Sequence, residues 1–280
     1  MTLQTALLQG TEILDKASVS VPRLTAEVLL CHALRRDRAY LYAHGNDDLT
    51  ELAWIHYGRY LNERLKGKPT QYITHRQEFF GREFYVDEAV LIPRPETEHL
   101  VETALRYLRQ SPTQERRVLD VGTGSGAIAI SIALEAQISV FAFDISTAAL
   151  RVAERNRAKY DARVSFFAAD LTTAIPPASV DLLISNPPYV PGADAANMQA
   201  EVRDWEPHVA LFAGDSGFEI YRRLVVDAAI VLRPGGRLMV ELGYQSLAGV
   251  REMLAPLCVD IEVVSDLAGF PRVLAATLKS

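Results

Sequence analysis

The chain has 280 residues, 49% of them hydrophobic and 23% charged, which is an ordinary composition for a globular protein with a sizeable core. No apolar run approaches the length of a membrane-spanning helix, and a net charge of −6 weighs against tight binding to a nucleic-acid backbone, which needs clustered Lys and Arg. The two cysteines, Cys31 and Cys258, lie far apart without a C-x-x-C pair, so reduced, buried thiols are expected instead of a disulfide framework.

The opening stretch MTLQTALLQGTEILDKAS has no basic segment and no unbroken apolar core, so it does not read as a secretory signal, and a cytoplasmic location is expected. Residues 1–70 read as a helical unit. Pro22 suits a first helical turn, followed at helix spacing by Leu24, Val28, Leu29 and Ala33. A second amphipathic stretch runs from Leu52 to Leu65, with Ile55, Tyr60 and Leu61 among its apolar positions, and Gly67 and Pro69 stop it. Such a unit suits a lid, a partner-docking module or a stabilising cap. Residues 71–92, QYITHRQEFFGREFYVDEAVLI, turn aromatic and β-branched around Gly81, which predicts a hairpin; 71–94 is taken as a linker. Pro95 opens a helix to about Arg109, ended by Ser111 and Pro112. From Arg117 onward, within a domain spanning 95–280, short apolar strands alternate with helices: RVLDVG, SVFAFDI, VSFFAAD, VDLLISN and RLMVELG. This is the pattern of an α/β doubly wound parallel sheet. IEVVSD and RVLAATLK close the chain, separated by only LAGFP. That gap is too short for a parallel crossover, so the last strand should be antiparallel.

Four motifs fall at the carboxyl ends of these strands, where open α/β sheets bind ligands. In DVGTGSGAIAI, Gly122, Thr123, Gly124, Ser125 and Gly126 form a G-x-G-x-G turn before a helix starting near Ala127; its spacing differs from the dinucleotide fingerprint G-x-G-x-x-G. Asp144 ends the next strand, placed to accept both hydroxyl hydrogens of a ribose, although a helix-capping role shared with Ser146 also fits. Asp170 ends VSFFAAD, where an acidic side chain or the following N–H can read an adenine edge and Leu171 can lie on the ring; a simple turn is the alternative.

The fourth motif is Asn186, Pro187, Pro188 and Tyr189. Double proline directly after a buried strand calls for a reason, because proline cannot donate to the ladder. The Asn186 side-chain carbonyl and the Pro187 carbonyl are two acceptors, both prolines lock φ, and Tyr189 offers a flat face. Together they suit a planar –NH₂ group whose nitrogen is aimed at an electrophile such as a sulfonium methyl, a reaction in which positioning does most of the work.

These motifs resemble class I S-adenosylmethionine-dependent amino-methyltransferases, whose Rossmann-like sheet is mostly parallel with an antiparallel last strand. PTQYITHRQEFFGREFYVDEAVLIPRPETEHLVE, RDWEPHVALFAGDSG and DLAGFPRVLAA resemble stretches of one branch, the peptide chain release factor N(5)-glutamine methyltransferases of the PrmC/HemK family. The resemblance implies methyl transfer from S-adenosyl-L-methionine, leaving S-adenosyl-L-homocysteine, to the glutamine amide of the Gly-Gly-Gln motif in bacterial class I release factors. It further implies a monomer, an N-terminal helical domain that docks the release factor, and no direct nucleic-acid, membrane or metal partner. By position, Gly122–Gly126 form the cofactor loop, Asp144 binds the ribose, Asp170 and Leu171 lie by the adenine, and Asn186 to Tyr189 hold the amide. Arg94, Pro95 and Glu96 close over the site, with Glu206 and Pro207 beside it. The chain departs from the family at His75, where QYITH replaces a segment close to QYITG; a residue forced to positive φ there bears strain. None of the six histidines has metal-ligand spacing. Two rival readings share the motif: an amine methyltransferase acting on an exocyclic base nitrogen of RNA or DNA after base flipping, and a cofactor-binding scaffold without turnover.

Overall fold

The computed structural model describes residues 1–110, 116–173 and 175–279 of the chain. Ser111 and Pro112, expected to end a helix, lie outside the described residues. The chain divides into two compact units, one formed by 1–76 with 199–205 and the other by 77–198 with 206–280.

The first unit is helical. Helices α1 (Leu3–Lys16), α2 (Pro22–Leu34), α3 (Arg38–Ala43), α4 (Glu51–Leu65) and the short α5 (Thr70–Thr74) surround one apolar core that includes Leu7, Leu14, Leu29, Leu30, Tyr57 and Leu61. Thr2, Asp37 and Thr50 cap α1, α3 and α4 by accepting from backbone N–H groups three residues on. Pro22 does open α2, but the buried stripes differ from the expected ones. Leu24 and Ile55 are exposed, whereas Glu27 and Arg64 are buried. The burial of those two charges follows from their partners. Glu27 takes Arg23, Arg38 and the Tyr42 hydroxyl, and Arg64 pairs with Glu201, so the charges are satisfied inside the unit. Residues 70–74 form a turn of helix where the hairpin had been expected to begin. The turn ends at His75 with φ +55° and ψ +35°, the left-handed region that favours glycine.

The second unit opens with the hairpin. Strand β1 (Gln77–Phe79) pairs antiparallel with β2 (Arg82–Phe84) across Phe80 and Gly81, both at positive φ as a tight two-residue turn requires. A 3-10 turn, Pro95–Thr97, then leads into α6 (Glu98–Gln110).

The sheet strands are β3 (Val118–Val121), β4 (Val140–Asp144), β5 (Val164–Ala168), β6 (Val180–Ser185), β7 (Leu232–Glu241), β8 (Cys258–Ser265) and β9 (Pro271–Leu278). Among the described residues they form one sheet in the order β5-β4-β3-β6-β7-β9-β8. The pairs from β5 to β7 are parallel, and β9 runs antiparallel to both β7 and β8. The antiparallel last strand predicted from the short LAGFP gap is therefore present. It lies inside the sheet, with β8 on the edge.

Helices α7 (Ala127–Ala136), α8 (Thr147–Tyr160), α11 (Glu219–Val231) and α12 (Leu247–Leu254) follow strands, while α9 (Ala200–Trp205) and α10 (His208–Leu211) are short. Successive strand residues feed opposite cores. Val118, Leu182 and Met239 face a core built with α6 and α7. Leu119, Leu183 and Leu238 face one built with α11 and α12. Both faces are thus covered, as buried parallel strands require.

Candidate active site

The carboxyl ends of β3, β4 and β6 converge on one cavity of about 300 Å³. At the end of β3, the Gly122 and Thr123 amides donate to the Phe143 carbonyl at 2.8 and 2.9 Å, and the Gly126 amide donates to the Thr123 carbonyl at 2.8 Å. Gly122, Gly124 and Gly126 have φ of +76°, +55° and +80°, so the loop turns through the left-handed region three times within five residues. A Cβ on Gly124 would meet nothing within 4 Å, whereas one on Gly126 would come within 3.0 Å of the Ile130 side chain. The middle glycine keeps space open, and the last packs the turn onto α7.

Asp144 bridges two segments. Its Oδ2 accepts from the Gly124 amide and its Oδ1 from the Ser146 amide, both at 2.8 Å. Burial pushes its carboxyl up, and the two backbone donors pull it back. Ser146 caps α8 through its own hydroxyl. Asp170 lies two residues beyond the end of β5 and pairs with Arg223 at 2.7 Å. Leu171 follows at φ +52°. Asp144, Asp170, Leu171, Phe143 and Ile145 all line the cavity, which combines polar groups with an apolar slot.

Asn186 and Pro188 line the same cavity, as do Arg94 and Pro207. The Ser185 hydroxyl donates to the Val121 carbonyl at 2.7 Å, which ties the end of β6 to the end of β3. The Asn186 amide group donates to the Thr97 hydroxyl at 3.2 Å. Pro187, Tyr189 and Glu206 are not among the cavity-lining residues. The Tyr189 hydroxyl lies 3.5 Å from the Glu241 carboxylate, and burial beside that carboxylate pushes its pKa up. Glu206 is buried; its carboxylate accepts from the Ile92 amide at 3.2 Å and takes the Arg94 guanidinium. It therefore holds the 92–94 loop that lines the cavity.

Sequence reasoning passed over Thr97 and Glu241. Glu241 is 3% exposed at the carboxyl end of β7, and burial raises its carboxyl to about 7 against the opposing pull of Thr97 and Arg272. It is the last residue of β7, within RLMVELG, so the strand-end rule that selected Asp144 would also have found it. No group of three or more His, Cys, Asp or Glu able to hold a metal occurs among the described residues.

A glycine cradle that a Cβ at Gly124 would fill, an acidic side chain at the second strand end and an apolar slot beyond it fit a nucleoside carrying a charged tail. On this sheet they define a class I methyltransferase. Over 98% of both chains the sequence is 44% identical to the release factor glutamine methyltransferase of Koribacter versatilis, and it is 40% identical to the one from Nitratidesulfovibrio vulgaris over 98% of this chain and 95% of that one. The chain belongs to the release factor glutamine methyltransferase family. Family models agree: a PrmC N-terminal domain matches residues 5–74 and a methyltransferase small domain matches 98–202. The fold alone is shared with a methyltransferase from Pyrococcus furiosus, at a TM-score of 0.53 and 16% identity over 72% of this chain and 91% of that one.

Proposed function

We propose that this chain transfers a methyl group from S-adenosylmethionine to the side-chain amide nitrogen of the Gly-Gly-Gln glutamine in bacterial class I release factors. What carries the reading is the position of Asn186 and Pro188 on the wall of the cavity formed by the glycine loop and Asp144, in a chain 44% identical to a relative of that name. The cofactor, when bound, supplies an electrophilic methyl on a sulfonium.

This chain's residues then do the following. The Gly122–Gly126 backbone admits the cofactor closely, Asp144 accepts from the ribose hydroxyls, and Asp170 with Leu171 borders the adenine. The Asn186 Oδ1 and the Pro187 carbonyl each accept one N–H of the substrate amide, and Tyr189 flanks its plane. Two fixed acceptors rotate the amide so that its nitrogen faces the methyl, which replaces random encounter with a held geometry. As the N–C bond formed, the methyl's bond to the sulfonium sulfur would break, the neutral thioether S-adenosyl-L-homocysteine would leave, and the nitrogen would lose one N–H proton to water. Arg94 and Glu206 keep the 92–94 loop over the cavity, and the helical unit 1–70 docks the release factor body.

The test is incubation with methyl-labelled S-adenosylmethionine and, separately, an unmodified release factor, bulk RNA and DNA. Label on the release factor, lost when its Gly-Gly-Gln glutamine is replaced, is expected. Label on nucleic acid alone would assign the motif to a base amine.

A further inference from the structure

Helix α8 reaches the glycine loop and the exit of the hairpin through one side chain. Asn156 is 0% exposed in the body of α8. Its Oδ1 accepts from the Tyr85 amide at 2.7 Å, and its Nδ2 donates to the Tyr85 carbonyl at 3.0 Å and to the Ser125 carbonyl at 2.9 Å. Ser125 belongs to the glycine loop and lines the cavity. Tyr85 directly follows β2 and opens the segment 85–94, of which Ala89, Val90, Leu91, Pro93 and Arg94 line the same cavity. Two walls of the cavity therefore meet at one buried carboxamide.

The donor count allows that carboxamide one orientation. Its –NH₂ has two hydrogens and faces two carbonyls, and its oxygen faces one N–H. A flip would set oxygen against both carbonyls and –NH₂ against an N–H. Asparagine is a poor residue for a helix interior, and these three partners all lie outside α8, so its place there follows from what it joins. Neighbours on α8 strengthen the grip on the hairpin exit. The Arg155 guanidinium lies 3.5 Å over the Tyr85 ring, and the Lys159 ammonium and the Tyr160 hydroxyl each donate to the Glu83 carbonyl at 2.6 Å. Segment 85–94 is thus pinned at its start by Asn156 and near its end by Glu206, which takes the Ile92 amide.

We propose that Asn156 is a positioning residue for the cofactor: by holding the Ser125 carbonyl and the Tyr85 peptide on one group, it keeps the glycine loop and segment 85–94 at the spacing that S-adenosylmethionine fills. This rests on the reading that the cavity takes that cofactor. Asn156 does not itself line the cavity, so it acts through Ser125 and the 85–94 segment. Releasing it loosens both walls and leaves Asn186 in place, so cofactor affinity falls while the bound complex still turns over. Linkage supplies a reciprocal effect. If the unlocked form binds cofactor about tenfold more weakly, saturating cofactor makes unlocking about tenfold rarer. The Tyr85 amide reports on this, because it is bonded to Asn156 and Tyr85 does not line the cavity.

The experiment measures S-adenosylmethionine Kd by calorimetry, and kcat on an unmodified release factor at saturating substrates, for full-length wild type, Asn156→Ala, Asn156→Asp and Val152→Ala, with Tm for each. Val152 is buried on α8 and does not line the cavity, so it controls for lost stability alone. Hydrogen exchange at the Tyr85 amide is followed in the wild type with and without S-adenosyl-L-homocysteine. Asn156→Ala removes all three bonds; Asn156→Asp keeps the acceptor but turns an oxygen on two carbonyls. Both should raise Kd about tenfold or more with kcat within about threefold of wild type, a loss of binding as opposed to chemistry. Val152→Ala should lower Tm at unchanged Kd, and bound product should slow Tyr85 exchange about tenfold. A Kd near wild type in a folded Asn156 variant, an equal rise in Kd in Val152→Ala, a loss confined to kcat, or Tyr85 exchange unchanged by product overturns the inference. If neither Asn156 variant folds, the exchange result on the wild type decides. A wild type that binds neither cofactor nor product fails the cofactor reading, visible in its calorimetry alone, and takes this inference with it.

Discussion

The Asp144 carboxylate accepts from the Gly124 amide at 2.8 Å, so the residue proposed to hold the ribose also fixes the crest of the glycine loop. The two tasks are separable. Asp144→Ala removes both and is expected to weaken S-adenosylmethionine binding by about 1–3 kcal/mol, roughly 5- to 150-fold in Kd. Asp144→Asn keeps one acceptor for Gly124 and should lose less. Calorimetry giving equal affinity for wild type and Asp144→Ala would remove the ribose assignment.

Asn186→Ala deletes an acceptor that lines the cavity without touching the glycine loop. Methyl transfer to the release factor should drop by about two orders of magnitude or more, by analogy with removal of a single preorganised polar group, while cofactor Kd stays within a fewfold. A rate near wild type would show that the substrate amide is held elsewhere.

Gly124 and Gly126 should respond differently to the same change. Gly126→Ala puts a Cβ at φ +80° and 3.0 to 3.3 Å from Ile130, Ala153 and Phe166, and is expected to cost stability by about 1–3 kcal/mol. Gly124→Ala shares the positive-φ strain, at φ +55°, but has open space around its Cβ, so it should cost less stability than Gly126→Ala and also weaken cofactor binding. Thermal unfolding and calorimetry on the pair check this; a Gly126→Ala Tm equal to wild type would contradict the packing described.

Asp120 and Glu241 make stability depend on pH. Burial raises both carboxyls to about 7. A carboxyl raised in the fold is protonated there when the unfolded chain has already released its proton. Stability is therefore fully present below the unfolded values near 4 and declines as pH rises toward 7. The loss is on the order of a few kcal/mol per group. Urea unfolding at pH 5, 6 and 8 should show the decline, and Asp120→Asn should flatten it. A slope equal to wild type in Asp120→Asn would mean that another group titrates.

The exposed faces of α4 supply a test of docking. Leu52 and Ile55 are 66% and 58% exposed, three residues apart on one helix. If the helical unit grips the release factor there, Leu52→Ser with Ile55→Ser should raise KM for the intact factor about tenfold and leave a short Gly-Gly-Gln peptide unaffected. Equal changes for both substrates would count against a docking role.

Ile55, with Leu24, marks where the sequence misleads. Periodicity selects Ile55 and Leu24 as core, but α2 and α4 bury Glu27 and Arg64. Glu27 is paired with Arg23 on its own helix and with Arg38 and Tyr42 beyond it, and Arg64 with Glu201, 137 positions away. A hydropathy pattern cannot see a charge that is satisfied only after folding. Strand ends were easier to read, because short apolar runs closing on Gly122, Asp144 and Asn186 need no distant partner to be recognised. Glu241 escaped for the opposite reason to Ile55: it obeyed the strand-end rule but carried no familiar motif. The positive φ at His75 was foreseen as a condition, but the helical turn that it ends was read as the start of the hairpin.

The inward place of β9 has a consequence for how the molecule is made. β7 is complete at residue 241, but the strand that covers its far side ends at 278, so 37 further residues (278 − 241) must be synthesised first. At about 5–20 residues per second the nascent chain leaves that row of backbone donors and acceptors bare for roughly 2–7 s. β8 cannot cover it, because its pairing is with β9 alone. Since β9 must pair on the free edge of β7, that edge can be covered only once the β8–β9 hairpin is complete, and a ribosome stalled between those two points would leave β7 as an uncovered, adhesive edge.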